Sequence, residues 1–398
     1  MLTPHQLSAY QRDGYLKLSG QVDEQSLVRF EQALARHRFD DGPTPGKTWP
    51  ESGARYTLAK NCMADPDLAF IAEHSAIVPV ARALLDDDPV LTAFVVYDRT
   101  TGGGGLPVHH DYKRWRPVGS SMNWCFSVVP LTDFDDETGQ LFIAPGSHRL
   151  DRVRPGASRA QEVAAAPRPR DEDFIDPCLK RGDLLIMNMH MWHRAAGNRS
   201  VRSRIGIFNK YAGRHAPPAT GYFLFNDAAH AALSEQGRPL LAVHSDKPLG
   251  QTRALLERQR NGSREFLFVR DGNGLSLPGG PAFDEQAIPD WDTGNLIAAL
   301  QQHLLDRLRV APPWLTYVGD YDEGSQLCRV YAYPLNDNGF PVPYEPDGQW
   351  VPIAQIESGA VALTQDYVGR AIGAWLAPGV VRGKGLSQAQ SRIDQFAY

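Results

Sequence analysis

Short apolar, β-rich runs broken by turn formers dominate the chain from Val90 to Tyr211. Leu91 to Arg99, Met122 to Pro130, Gln140 to Ala144, Asp183 to Met189 and Arg204 to Lys210 are rich in β-formers, with Gly, Pro, Asp and Asn between them. This texture predicts a mainly β region of short strands. The spacing suggests an antiparallel double sheet, a jelly roll or double-stranded β-helix, whose mouth can hold a ligand.

Helical periods flank that region. Thr3, Pro4 and Gln6 form a capping-box pattern ahead of Leu7 and Tyr10, and Asp13-Gly14 ends the helix. Tyr15 to Leu18 reads as a first strand and Glu24 to His37 as a second helix. Residues 40 to 60, rich in Pro, Gly and charge and carrying Trp49, read as a long loop, either a lid or plain variable surface.

Past Gly213 the pattern changes. Helical and loop material leads to an apolar run, Arg264 to Val269, then to Leu275 to Gly280 and an amphipathic helix from Asn295 to Arg309. Strands are expected at Trp314 to Val318, Cys328 to Tyr333 and Trp350 to Ile353, with a last helix over Thr364 to Leu376. A chain of 398 residues exceeds a comfortable single core. The expected division is a jelly roll with flanking helices over 1–240 and a smaller α+β unit over 241–398.

Composition narrows the partners. A net charge of -5, with 42% apolar and 22% charged residues, offers no global attraction to nucleic acid or anionic membrane. Cys62, Cys125, Cys178 and Cys328 are far apart and form no C-x-x-C pair, so buried free thiols in a reducing compartment are expected. No leader pattern opens the chain and no apolar stretch reads as bilayer-spanning, so the cytoplasm is the expected location.

The chemistry concentrates in His109-His110-Asp111 and in His190 and His193. On an extended strand, His109 and Asp111 point to one face and His110 to the other. A second imidazole from a later strand would complete three corners of an octahedron, the ligand set of a mononuclear non-heme iron(II) oxygenase. Spacing alone leaves His190 and His193 open. Gly197-Asn198, read as a hairpin turn returning the chain as Val201 to Lys210, favours His193. Arg202 and Arg204 then share a face, and either could anchor the far carboxylate of a 2-oxo acid. A lone His-x-Asp arises often by chance; the run Gly102 to Gly105 before it and the buried-type strand leading to His190 and His193 add context.

Asp13-Gly14-Tyr15, His109-x-Asp111, Gly139-Gln140-Leu141 leading to Pro145-Gly146-Ser147-His148, Gly182-Asp183, and His193 with Asn198-Arg199-Ser200 and Arg204 together resemble the phytanoyl-CoA dioxygenase family of iron(II)/2-oxoglutarate oxygenases. The resemblance covers about residues 1 to 212. It implies that His109, Asp111 and His193 bind iron and that Arg204, in preference to Arg202, grips the C5 carboxylate of 2-oxoglutarate. The run His109 to Trp115 is most similar to ectoine hydroxylases. Those relatives carry a co-substrate-assisting serine where this chain has Ala195, so Tyr97, Arg99 or Asn123 is expected to supply that contact. Halogenating relatives lack the carboxylate, so the intact Asp111 implies hydroxylation, with O2 consumed and succinate and CO2 released. Desaturation or cyclisation would use the same ligands.

Lys113, Arg114 and Arg116 flank Trp115 directly after the metal motif. They are either a solvated basic loop or the lining of a site for a small polar, anionic metabolite, with Trp115 as an apolar wall. His148 reads as loop-shaping and Trp192 as packing. Residues 245 to 378 resemble a Nudix fold, but the helix offers Gln301, Gln302, Leu305 and Asp306 where a Nudix hydrolase needs clustered glutamates for magnesium. A degenerate module is expected, one that covers the oxygenase, mediates homodimerisation or shapes the pocket. The leading expectation is a hydroxylase, placed in specialised metabolism. A non-catalytic jelly-roll binding protein and a hydrolase acting through the second unit are the competing classes.

Overall fold

The computed structural model describes residues 2–37, 54–58, 62–111, 123–150, 168–215, 217, 221–282, 294–310, 312, 315–335 and 348–377. Ten strands build the first unit: β1 (Tyr15–Leu18), β2 (Ala54–Leu58), β3 (Pro89–Ala93), β4 (Val95–Arg99), β5 (Leu106–His109), β6 (Trp124–Pro130), β7 (Leu141–Ile143), β8 (Leu184–Asn188), β9 (His193–Ala195) and β10 (Arg204–Gly213). Seven of them form one sheet in the order β1-β8-β6-β10-β4-β2, with β3 also pairing β10. The other three form a small sheet, β5-β9-β7. Every pairing is antiparallel.

Alternation along the strands decides what each face of the large sheet meets. On β6, Cys125 and Val129 join a core with the helices Pro4–Asp13 and Glu24–Leu34, whose Tyr10, Leu27, Phe30 and Leu34 are buried there. Trp124, Phe126 and Val128 turn the other way, into a second core with Phe208, Leu141 and Ile143. Thr3 and Gln6 make the expected capping box, and Gly14 ends the first helix at a φ of 78°. A side chain at Gly14 would collide with the ring of His148, which supports the loop-shaping reading of that histidine.

Several expectations change. Leu91 to Arg99 is two strands, because β3 pairs the far half of β10 and β4 the near half, with a register shift opposite Lys210/Tyr211 that leaves Thr92 of β3 without a partner across the ladder. The expected loop over 40–60 contains β2, paired with β4; residues 40–53 and 59–60 lie outside the described ones. Gly197-Asn198 is not a hairpin turn. β9 pairs with β5 and β7, whereas β10 pairs with β3, β4 and β6, so residues 196–203 cross from one sheet to the other. Asn198 pins this crossing, donating to the carbonyls of Arg99 at 2.9 Å and Arg202 at 2.6 Å. Cys125 and Cys328 are buried free thiols, but Cys178 is exposed.

The stretch Pro66–Leu85, 20 residues, is long and apolar enough to cross a membrane by composition, contrary to expectation. It folds as three short helical pieces, Pro66–Ala69, Phe70–Glu73 and Val78–Leu85. Leu68, Ala69, Ile71, Ala72, Ile77, Ala81 and Leu85 are all buried in the first core.

The second unit holds β11 (Leu249–Arg260), β12 (Ser263–Asp271), β13 (Gly274–Ser276), β14 (Gly279–Pro281), β15 (Thr316–Glu323), β16 (Gln326–Pro334) and β17 (Gly348–Pro352). They form a mixed sheet, β13-β12-β11-β16-β15, with β14 on β11, β17 on β12 and a parallel pair β11–β16. Leu256 and Leu267 share a core with Ile297, Leu300 and Leu304 of the helix Gly294–Leu308. Leu255, Phe266 and Phe268 share another with Ala371, Ile372 and Trp375 of the helix Val368–Leu376. Both strands and helices are present in this part of the chain, and β11 was unforeseen: three consecutive apolar residues, Ala254 to Leu256, carry neither period.

Tyr222 joins the two units. Its ring meets Tyr317 edge-on at 5.6 Å, and its carbonyl accepts from Arg329 Nη2 at 2.7 Å. Arg329 also pairs with Asp320 at 2.7 Å, with side chains only 1% and 2% exposed. Removing one partner strands the other charge in the core. Arg329→Met is therefore expected to lower unfolding free energy by about 3–5 kcal/mol, and adding Asp320→Leu to recover much of the loss, as read from urea unfolding curves.

Candidate metal centre

Strands β5 and β9 lie side by side with His109 directly opposite His193. In both histidines the ring nitrogen Nδ1 faces the carbonyl of the residue two before it, Pro107 at 2.6 Å and Met191 at 3.0 Å. With Nδ1–H donating to backbone, each Nε2 lone pair is free to bind a cation, and the tautomer is set locally. Asp111 Oδ1 stands 3.5 Å from His109 Nε2 and 3.7 Å from His193 Nε2. One ligand atom from each of the three residues falls within 4.8 Å of the others. Among the described residues no other group of three such side chains converges in this way.

His190 is not a corner of this cluster. It is fully buried, with its ring 6.4 Å from that of His110, and His110 meets Trp192 edge-on at 4.6 Å. His110 itself lies just past the end of β5, with its ring against these two residues and not among the triad's ligand atoms. Trp192 packs with Ala144 and Phe174, as expected of a packing residue.

Burial opposes charge at the centre, and neighbouring groups decide the outcome. Burial alone would raise the Asp111 carboxyl; the Lys210 ammonium, 3.0 Å from Oδ2, and the two imidazoles outweigh it and hold the group well below its ordinary value. Burial, then repulsion from His109, pushes His193 down to about 4. Asp111 is therefore an anion and His193 a neutral imidazole at neutral pH, and with His109 beside them the donor set suits a divalent transition ion.

Arg204 starts β10 and faces Arg99 across the pairing with β4. Both are buried, 4% and 3% exposed, whereas Arg202 lies exposed before the strand. Arg204 Cζ sits over Phe134, 3.7 Å from the ring centre, and a side chain at Gly206 would strike that ring, so the glycine makes room for the contact. Burial, then Arg99, drives the Arg204 guanidinium well below its ordinary value, and burial pulls Arg99 to about 10. Among the described residues no carboxylate pairs with either, and both Nε atoms are buried without a hydrogen bond. Arg99 Nη1 does donate to the Ala196 carbonyl, next to the alanine that replaces the expected serine.

Tyr97 lies on the same face as Arg99 and packs edge-on against Phe208 at 4.9 Å. Asn123 is not brought to the triad. It precedes β6 with parity opposite to Phe126, whose ring does reach His193 at 5.7 Å, and its Nδ2 donates to Leu85. Lys113, Arg114, Trp115 and Arg116 lie outside the described residues. Lys210 and Phe134 were missed. Lys210 has a sequence signal, an even-numbered step from Arg204 within one buried strand; Phe134 has none.

The metal-free protein should lose stability as pH falls from about 6.5 to about 4. His193 is then protonated in the unfolded chain but stays neutral in the folded one, a difference worth about 3 kcal/mol at full extent. His193→Gln should flatten that segment of a stability-against-pH curve, with acid unfolding below it left to Asp111, whose carboxylate stabilises the fold until protonated.

The sequence model of the phytanoyl-CoA dioxygenase (PhyH) family matches residues 10–206. The chain is 31% identical over 118 residues to dioxygenase andF of Emericella variicolor, a match spanning 28% of this chain and only 37% of that protein. Among solved structures it is similar to the non-heme alpha ketoglutarate dependent carbocyclase SnoK from nogalamycin biosynthesis, at 20% identity and TM-score 0.45 over 53% of this chain and 84% of the other. It is likewise similar to EctD from S. alaskensis with 2-oxoglutarate and 5-hydroxyectoine, at 20% identity and TM-score 0.44 over 55% and 78%. Residues 10–206, with the histidine–aspartate–histidine triad inside them, are a domain of the phytanoyl-CoA dioxygenase family, a family of iron- and 2-oxoglutarate-dependent dioxygenases.

Proposed function

We propose that this protein is an iron(II)- and 2-oxoglutarate-dependent oxygenase that hydroxylates an unactivated C–H bond of a small polar, anionic metabolite. The observation that carries the reading is the pairing of the triad with two buried guanidiniums that have no carboxylate partner among the described residues. A buried cation without a counter-ion is costly, and the C5 carboxylate of 2-oxoglutarate would offset that cost. His109, Asp111 and His193 would hold iron(II), leaving three positions for the 2-oxo acid and O2. Bound there, the metal supplies dioxygen activation coupled to oxidative decarboxylation of 2-oxoglutarate to succinate and CO2.

The chain's own residues do the rest. Arg204 orients the co-substrate from its far end, and Arg99 holds the backbone beside it at Ala196. Phe126, Phe208 and Tyr97 supply apolar surface near the centre that disfavours water. Lys113, Arg114 and Arg116 favour an anionic substrate, with Trp115 as a wall. The second unit serves as a non-hydrolytic module that shapes the pocket or joins two copies, since Gln301, Gln302, Leu305 and Asp306 offer one carboxylate for a magnesium site.

Anaerobic iron(II) with 2-oxoglutarate should give a visible metal-to-ligand charge-transfer band, and Asp111→Ala should abolish it. Arg204→Met should weaken 2-oxoglutarate binding about 10- to 100-fold, the worth of one charge-assisted hydrogen-bonded pair. A folded protein with no band is a binding scaffold instead. In a substrate screen read by succinate formation, hydroxylation adds one oxygen to the product mass; loss of two hydrogens would mean desaturation or cyclisation. Arg114→Glu should raise the substrate KM, and an unchanged KM would remove the basic run from the site.

A further inference from the structure

Asp111 divides its two oxygens between different partners. Oδ1 faces the Nε2 atoms of His109 and His193 at 3.5 and 3.7 Å, whereas Oδ2 lies 3.0 Å from the Nζ of Lys210. Lys210 reaches this point from β10, on the face that also carries Arg204 and Phe208. Its side chain is 11% exposed, so the ammonium has little water around it and the contact is a well-shielded one.

We propose that Lys210 is a positioning residue that holds Asp111 as a one-oxygen ligand, and so keeps a coordination position of the metal open. The inference rests on the reading of the triad as a metal centre. A carboxylate can bind a cation through one oxygen or both. Swinging Oδ2 onto the metal would require breaking a charge-assisted contact in a site where little water is available to replace it. An octahedral ion with three protein donors has three other positions; with Asp111 bidentate it has two, and 2-oxoglutarate with O2 needs all three. The strand that bears the co-substrate anchor at one end thus bears the guard of the coordination number toward the other.

Electrostatics makes the idea separable from a purely structural role. An ammonium beside the ligand repels a divalent cation, so losing it should not weaken metal binding. Losing a residue that merely supports the fold would weaken it.

Manganese(II) bound to the otherwise complete protein reports the number of its water ligands through water-proton relaxation, with neither 2-oxoglutarate nor turnover required. Lys210→Met should bind manganese at least as tightly as the unaltered chain and lower its relaxation enhancement by about a third, as three waters become two. Lys210→Arg, which keeps a cation against Oδ2, should stay near the unaltered value. Should the methionine variant not fold, Lys210→Ala carries the same readout. A folded Met or Ala variant with unchanged relaxation, or with weaker manganese binding, overturns the proposal. Failure of the unaltered protein to bind manganese would instead overturn the metal-centre reading.

Discussion

The cross-strand pairing of His109 with His193 is the contact on which the centre depends. Neither strand is long enough to be stable alone; β5 has four residues and β9 three. Their register is held from outside, by β7 on the far side of β9 and by the crossing that Asn198 ties to Arg99 and Arg202. A slip of one residue would turn either imidazole to the opposite face and dissolve the cluster. Because each ring also leans on a carbonyl in its own chain two residues back, the side chains are oriented before any ligand arrives.

Charge is the second constraint. Asp111 is the single carboxylate of the centre among the described residues, while Arg99, Arg204 and Lys210 project from β4 and β10 on the same side of the large sheet. Such an excess of buried positive charge works against folding stability and suits a site made for an anionic ligand. Phe134 lessens the cost at Arg204 by offering a ring face to a guanidinium that water cannot reach. Positions that look expensive in the free protein are those where a dianion would be welcome.

The second unit shares one apolar cluster with the first and also meets it through a buried polar contact. The segment after Gly221 buries Phe223, Phe225, Leu240 and Leu241 in the helical core of the first unit, while Tyr222 turns toward Tyr317 and Arg329. The Asp320–Arg329 pair and Tyr317, which donates to Asp320 at 2.9 Å, complete a buried polar network there. Such a network requires its geometry to be satisfied as a whole, which sets the approach of the two units more sharply than apolar packing would.

Local chemistry was legible in the chain by itself. The capping box at Thr3, the stop at Gly14, the long strands β6, β8 and β10 and the helix Gly294–Leu308 follow from periods and turn residues acting over a few positions. The His-x-Asp pair was likewise legible as two candidate ligands, although the strand ends at His109 and Asp111 lies just past it. What tertiary structure alone decided was which distant residue met them. His190 and His193 are both buried and only three apart, and pairing of β9 with β5, not the hairpin expected at Gly197-Asn198, brought His193 across from His109. The same holds for Lys210 against Asp111 and for Arg204 over Phe134: contacts between segments remote in sequence depend on sheet topology, which no window of neighbouring residues encodes.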